Sequence, residues 1–343
     1  MLLYNKGMPQ DGRIEAEATR CGRALRVSTF PTVSGEQAVL RVSDKPLQRF
    51  TLDTLGFHGS IGRRLRDVIF RPQGALFLTG PSSSGKTTTI YALLHELLEK
   101  SKSDSTHFTP HIVTLEDPVE NTMRHISQAE IQPQGEFNYQ TALRSVLRQD
   151  PDVIVVGETR DPETAHAAIQ AGLTGHLVIT TIHSGTTTGV FARLLDMGIE
   201  PFLIASTITG VLAQRLVRRN CQECNTPYEP EPVLLKRFGL ARPAGDAGAY
   251  QRGSGCEACQ GLGYQGRTVI GEMLTMNDEL GDLILNRAPS RDMFDAAVRN
   301  NMIPMVDHGL KKAQSGRTTL EEINRVLPPP DDASAPMPSV ESE

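Results

Sequence analysis

Between residues 75 and 197 the chain alternates two kinds of pattern. Short apolar runs fall at 75–79, 111–115, 152–156 and 177–182, and between and after them lie helical patterns at 86–100, 138–149, 161–171 and 186–197. A run that is apolar without alternation suits a strand covered on both faces. A helix after each strand supplies that cover, so the pattern predicts an α/β fold with a parallel sheet flanked by helices. Upstream, LRVSTFPTVSGEQAVLRV from Leu25 to Val42 reads as two extended segments, with the turn residues Ser34 and Gly35 between them. Phe50 to Phe70 is amphipathic and is expected to be helical between Gly62 and Phe70, with Arg71-Pro72-Gln73-Gly74 as a loop into the next strand.

Polar SKSDSTHFTP, Ser101 to Pro110, lacks periodicity and predicts an exposed loop. Downstream, 267–276 is strand-like and 278–327 helical, with Thr318 as N-cap and Glu321 as its capping-box partner. The last sixteen residues, PPPDDASAPMPSVESE, cannot bury a core and predict a disordered tail. The divisions that follow are 1–70, a partial β-rich N-terminal domain plus linker; 71–219, the α/β core; 220–266, a cysteine-bearing insertion; 267–327, a strand and helical subdomain; and 328–343, the tail.

Composition narrows the partners. The formal charge is −5, yet Asp331, Asp332, Glu341 and Glu343 sit in the tail, which leaves the body near neutral and gives no support to a nucleic-acid partner. No apolar run approaches the ~20 residues of a membrane span, and the first residues do not form a signal peptide, so the chain reads as cytoplasmic. Four of the five cysteines form two CxxC pairs, Cys221/Cys224 and Cys256/Cys259, which in a cytosolic protein suggests metal or redox chemistry before disulfides. Cys21 is left over and is expected to be a semi-buried thiol.

The chemistry begins at Gly80-Pro81-Ser82-Ser83-Ser84-Gly85-Lys86-Thr87, placed between an apolar strand and a helical pattern that continues through Thr88. In G-x-x-x-x-G-K-[ST] the glycines let backbone N–H groups turn toward phosphates, the lysine reaches the terminal phosphate oxygens, and the last hydroxyl ligates Mg²⁺. The expected cofactors are therefore ATP and Mg²⁺, the latter on Thr87. A second element, DVIVVGE, carries Glu158 to the carboxyl end of a strand, where it can orient or deprotonate water for attack on a γ-phosphate. IVTLEDPVE ends another strand in Glu116, Asp117 and Glu120, a pattern that also suits a solvated turn. GHLVITTIH places His183 at the carboxyl end of a fourth strand, although a structural histidine is the plainer reading of any one of them.

Taken together and in order, GPSSSGKTTTIYALL, VTLEDPVE, LRQDPDVIVVGETRD, GLTGHLVITTIHS, RLLDMG and QRLVRRNCQEC resemble the secretion ATPase superfamily, specifically the type II secretion and type IV pilus assembly ATPases. The resemblance spans about Pro9 to Leu327. It implies a RecA-like P-loop motor core in a homo-hexameric ring, acting peripherally at the cytoplasmic face of the inner membrane on a platform protein. By motif match, Lys86 and Thr87 would hold phosphates and Mg²⁺, Glu158 would be the catalytic carboxylate, Glu116 would fall in the aspartate-rich box and His183 in the histidine box. Arg26 and Arg41 match arginines that reach the nucleotide from the preceding domain. Cys221, Cys224, Cys256 and Cys259 match the tetracysteine zinc insertion of the assembly branch, and their spacing suits tetrahedral Zn²⁺. The sequence departs from the family in starting inside its second domain, without the docking module, and in Ser184-Gly185 after His183. Two other readings follow from those departures and from the motifs: a truncated, non-motor paralogue that binds ATP and joins such rings, and a related DNA-transfer motor.

Overall fold

The computed structural model describes residues 5, 7–14, 18–20, 22–23, 25–42, 50–103, 109–132, 135–240 and 250–327, with backbone alone at 13, 102 and 103. The chain divides into two units, Met1–Arg49 and Phe50–Glu343. In the first, β1 (Gln10–Ile14), β2 (Leu25–Thr32) and β3 (Gly35–Val42) form an antiparallel sheet in that order. The expected turn closes as Thr32 pairs with Gly35 and its hydroxyl donates to the Gly35 carbonyl at 2.6 Å. Register places Arg26 directly opposite Arg41, both exposed.

The second unit begins with two helices, α1 (Leu52–Leu55) and α2 (Gly59–Ile69). Helix α2 starts three residues before the expected Gly62 because His58 caps it, its Nδ1 accepting from the Ser60 amide. There follow β4 (Gly74–Thr79), α3 (Lys86–Ser103), β5 (Ile112–Glu116), β6 (Ser127–Glu130), α4 (Tyr139–Val146), β7 (Val153–Thr159), α5 (Pro162–Leu173), β8 (Leu177–Ile182), α6 (Thr187–Asp196), α7 (Pro201–Thr207) and β9 (Ile208–Asn220). The cysteine region contributes β10 (Asn225–Pro227), α8 (Pro232–Arg237) and β11 (Gln251–Gly253). The chain then returns through β12 (Tyr264–Thr275) to α9 (Asp278–Leu285), α10 (Ser290–Arg299), α11 (Met305–Gln314) and α12 (Leu320–Val326).

The main sheet has the order β12-β9-β4-β8-β7-β5-β6, parallel except for β12, which pairs antiparallel with β9. Every residue of β4, β5 and β8 is buried, as strands covered on both faces must be. On one face Ala75, Phe77, Ile154, Val156 and Val178 share a core with apolar residues of α4, α5, α6, α7, α9 and α10. Leu76 and Leu78 alternate to the other face and are equally buried. A separate core joins β9 and β12 to α8, α11 and α12 through Leu235, Tyr250, Ile270 and Ile323.

The sheet positions the chemistry by placing β4, β8 and β7 side by side, so that the loops after Thr79, Ile182 and Thr159 meet at one edge. A buried carboxylate, Glu272 on β12, ties this edge to the C-terminal helices. Its Oε1 accepts from the Thr187 amide (3.3 Å) and hydroxyl (3.0 Å), and its Oε2 from the Met305 amide at 3.1 Å. Thr187 and Met305 are the first residues of α6 and α11, whose N-termini favour a negative charge.

Several expectations are corrected. The last helix is capped by Thr319, which accepts from the Glu322 amide at 3.1 Å, and not by Thr318 with Glu321. Thr318 is fully buried and its hydroxyl donates to the Arg218 carbonyl, while Glu321 accepts from the Tyr228 hydroxyl at 2.7 Å. Helix α3 runs to Ser103, into the stretch expected as a loop from Ser101; residues 104–108 of that stretch, Cys21 and the 328–343 tail lie outside the described residues. In the sheet, β8 and β7 stand between β4 and β5, the strand that ends in Glu116.

Candidate active site

The loop from Gly80 to Gly85 joins a buried central strand to α3, and its backbone is committed to a special shape. Gly80 (φ 148°) and Gly85 (φ 87°) are left-handed, as is Ser83 (φ 61°). A Cβ on Gly80 would lie 2.4 Å from the Gln214 carbonyl oxygen, so only glycine fits there. Among the described residues, the amides of Ser82, Ser83, Gly85, Lys86, Thr87 and Thr88 have no hydrogen-bond acceptor. Such a run of free N–H groups at a helix N-terminus forms a nest for an anion. Ser84 Oγ is buried and without a partner as well.

Gln214, on β9, holds this loop. Its Nε2 donates to the Ser84 carbonyl at 2.8 Å, and its Oε1 accepts from the Thr89 hydroxyl at 2.9 Å. Lys86 folds back onto the loop, with Nζ donating to the carbonyls of Gly80 (2.8 Å) and Pro81 (3.0 Å). Burial pushes its ammonium below the ordinary lysine range, the nearby Glu158 works against that shift, and Arg215 adds to it. Arg215 donates to the Gly185 carbonyl at 3.0 Å, and Thr79 both donates to and accepts from the backbone of Ser184. The end of β4 and strand β9 are thus bonded to the loop after β8.

Glu158 and His183 stand together at the tips of β7 and β8. Arg160 lies 2.5 Å from Glu158 Oε2. His183 Nε2 lies 2.5 Å from Oε1, an ion pair when the imidazole is protonated, and Oε1 is itself buried. Glu158, Thr159, Arg160, Ile182, His183 and Arg193 line a cavity of about 180 Å³. A wider cleft of about 650 Å³ lies away from this edge, between α2 and the α10–α11 connection. There Arg64 donates to the carbonyls of Met273, Asn300 and Asn301 and Arg66 pairs with Glu96 and Asp53, while the exposed Arg63 and Asp67 also line the cleft.

Glu116 is placed differently. It is 6% exposed, and it accepts from the Tyr91 hydroxyl at 2.5 Å, the Thr114 hydroxyl at 2.6 Å and Gln128 Nε2 at 3.0 Å. Tyr91 belongs to the helix that follows the phosphate loop, and burial followed by the Glu116 carboxylate raises its hydroxyl pKa well above the ordinary range. Arg26 and Arg41 belong to the N-terminal unit. Gln214, Arg215 and Arg193 escaped the sequence reading, although all three lie in the quoted QRLVRR and RLLDMG stretches.

The four cysteines converge. Their sulfurs lie within 4.8 Å of one another, with Cys221–Cys256 and Cys224–Cys259 at 3.8 Å and Cys256–Cys259 at 3.7 Å. The amides of Gly255 and Gly263 donate to Cys224 Sγ (3.3 Å) and Cys259 Sγ (3.2 Å). Gly253 and Gly263 pack backbone to backbone beneath them, where a Cβ on Gly253 would come within 2.0 Å of the Gly263 carbonyl oxygen.

The parallel sheet and the phosphate loop on its central strand define the fold of a P-loop protein. The family described as "Type II/IV secretion system protein" matches residues 2–325, and the chain belongs to that family. It is 43% identical over 324 residues to the type II secretion system ATPase E of Vibrio cholerae serotype O1, covering 94% of this chain and 62% of that protein. It is 41% identical over 321 residues to the type IV pilus assembly ATPase PilB of Thermus thermophilus, covering 94% of this chain and 35% of that one. Among solved structures, the pilus retraction motor PilT with bound ADP superposes with a TM-score of 0.65 at 25% identity, over 94% of this chain and 79% of that one. The Legionella pneumophila ATPase DotB shares the fold, with a TM-score of 0.65 at 22% identity.

Proposed function

We propose that this chain is a motor ATPase that hydrolyses ATP to drive type II protein secretion or type IV pilus assembly at the cytoplasmic face of the inner membrane. The observation that carries the reading is a nest of unpartnered amides directly after β4, whose last residue Thr79 bonds the loop that follows His183, itself paired with Glu158. The loop amides and Lys86 bind the phosphates. Glu158 takes a proton from water as its oxygen bonds to the γ-phosphorus and the bond from that phosphorus to the β–γ bridging oxygen breaks, the electron pair leaving with ADP. His183 sits where it can hold the carboxylate and meet the terminal phosphate. Mg²⁺ would neutralise phosphate charge, and the exposed Thr87 hydroxyl, without a partner among the described residues, is available to hold it. Glu116 supports this edge from behind through Tyr91.

The sulfur separations of the cysteine cluster agree with the ~3.8 Å edge of a tetrahedron built on Zn–S bonds of about 2.3 Å. The four thiols would hold Zn²⁺, which supplies structure to a segment with few apolar residues; the Gly255 and Gly263 amides would stabilise the thiolates. Chelation is expected to expose residues 221–263 to protease while leaving the main sheet folded. A homo-hexamer, a membrane platform partner and peripheral placement at the inner membrane complete the proposal and rest on the family. Among the described residues no helix is long and apolar enough to cross a membrane.

The test is Lys86→Ala. Phosphate release from ATP is expected to vanish while the circular dichroism melt stays where it was; unchanged turnover removes the proposal.

A further inference from the structure

We propose that Gln214 is a positioning residue for the nucleotide: its side-chain amide takes the Ser84 carbonyl away from α3, which leaves the Thr88 amide free for a phosphate. The inference rests on the nucleotide-binding reading of the loop and adds to it a distant residue that sets the loop's affinity.

A helix gains one more bond at its N-terminus whenever the preceding carbonyl is within reach of the amide four residues on. Helix α3 begins at Lys86, and the Thr89 amide donates to the Gly85 carbonyl at 3.0 Å. One residue earlier, the matching bond from the Thr88 amide to the Ser84 carbonyl is absent among the described residues. That carbonyl accepts instead from Gln214 Nε2 at 2.8 Å. The carboxamide is held in this orientation because its Oε1 accepts from the Thr89 hydroxyl at 2.9 Å. Ser84, Thr89 and Gln214 are all buried, so water does not compete for these bonds. Both functions of one amide are thus used on the two sides of Thr88.

The same residue braces the loop at both ends. Its backbone carbonyl is the oxygen that a Cβ on Gly80 would strike, and a Cβ on Gly85 would lie 3.3 Å from its Nε2. The plain reading of a buried glutamine is a polar group with its bonds satisfied. That reading does not account for which carbonyl it takes. Ser84 is the one whose release would let α3 grow by a residue and withdraw the Thr88 amide from the nest. An apolar side chain of similar volume at 214 would return the Ser84 carbonyl to Thr88. The new helix bond would offset part of what is lost in the fold, while the phosphates would lose a donor, and a hydrogen bond to a charged group is the stronger kind.

Amide hydrogen exchange of the full chain, read residue by residue by NMR, tests this together with ADP titration and ATP kinetics. In the parent the Thr88 amide is expected to exchange rapidly without nucleotide and to be slowed at least about tenfold by ADP. In Gln214→Met it is expected to be slow already without nucleotide, with the Kd for ADP and the KM for ATP both raised about tenfold and kcat held within about threefold. Thr89→Val keeps the shape and removes only the hydroxyl that orients the carboxamide. It is expected to move the same quantities in the same direction by a smaller factor, and it carries the test if Gln214→Met does not fold. A Thr88 amide that exchanges as fast in both variants as in the parent, unchanged ADP affinity, or a fall in kcat with Kd and KM intact would each overturn the inference. A chain that binds ADP in this Gln214-dependent way but never cleaves ATP upholds it and removes the motor reading. A chain that cleaves ATP with Kd and KM indifferent to Gln214 keeps the motor and removes the inference.

Discussion

Glu116 and Glu158 look alike in the sequence, each an acid at the end of an apolar strand, yet the fold gives them opposite circumstances. Around Glu116 three donors from Tyr91, Thr114 and Gln128 converge, two on Oε1 and one on Oε2, and the side chain is buried. Around Glu158 there are Arg160 and His183, each against one oxygen and each more than half exposed, and a cavity. A carboxylate whose hydrogen bonds are all made stores its interactions in stability. One paired with exposed cations at a cavity wall is within reach of a ligand, and the difference comes from neighbours that the local motif does not contain.

The widest separation between the two acids should appear in rate. Glu158→Gln keeps the shape but not the basicity, and it is expected to lower ATP turnover about a hundredfold to ten-thousandfold with the melting temperature nearly unmoved. If turnover survives, the comparison breaks on its active side. Glu116→Ala should do the reverse: with three buried donors stripped of their acceptor, chemical denaturation is expected to show a loss of about 3 kcal/mol. A rate loss as deep as that of Glu158→Gln, with stability intact, would move Glu116 into the chemistry.

His308 sharpens the same contrast with a titration. It is buried behind β12, its Nδ1 shared with the Gly271 backbone, and burial, with Lys312 next in weight, pulls its pKa down from 6.5 to about 4. Because the folded value is the lower one, the unfolded chain binds the proton first as pH falls. Stability is therefore expected to decline between about pH 6.5 and 4, by about 3 kcal/mol from this group. His308→Gln should flatten that part of the denaturation-versus-pH curve; an unchanged slope would show that His308 titrates normally.

Much of this architecture was legible in the sequence because each central strand is apolar on both faces and each helix follows at short range. The phosphate loop was equally plain, since its glycines answer to local backbone geometry. What escaped is long-range. Strand β9 carries Gln214 and Arg215 in its middle and reads poorly as a strand, but those polar groups are satisfied by the Ser84 and Gly185 carbonyls, more than a hundred residues earlier for Ser84. Strand β6, Ser-Gln-Ala-Glu, has no β-forming residue and exists because β5 offers it a ladder. The saturation of Glu116 depends on Tyr91 and Gln128, neither of which is near it in the chain. The cap displaced from Thr318 to Thr319 turned on the Arg218 carbonyl, another distant partner.

Glu272 joins two helices by their starting residues with one side chain. Because α6 follows the His183 loop immediately, a displacement of its first turn would strain the bonds that Glu272 makes to Thr187 and Met305. The carboxylate works as a rivet, pinning the start of α6, just after the His183 loop, to the start of α11.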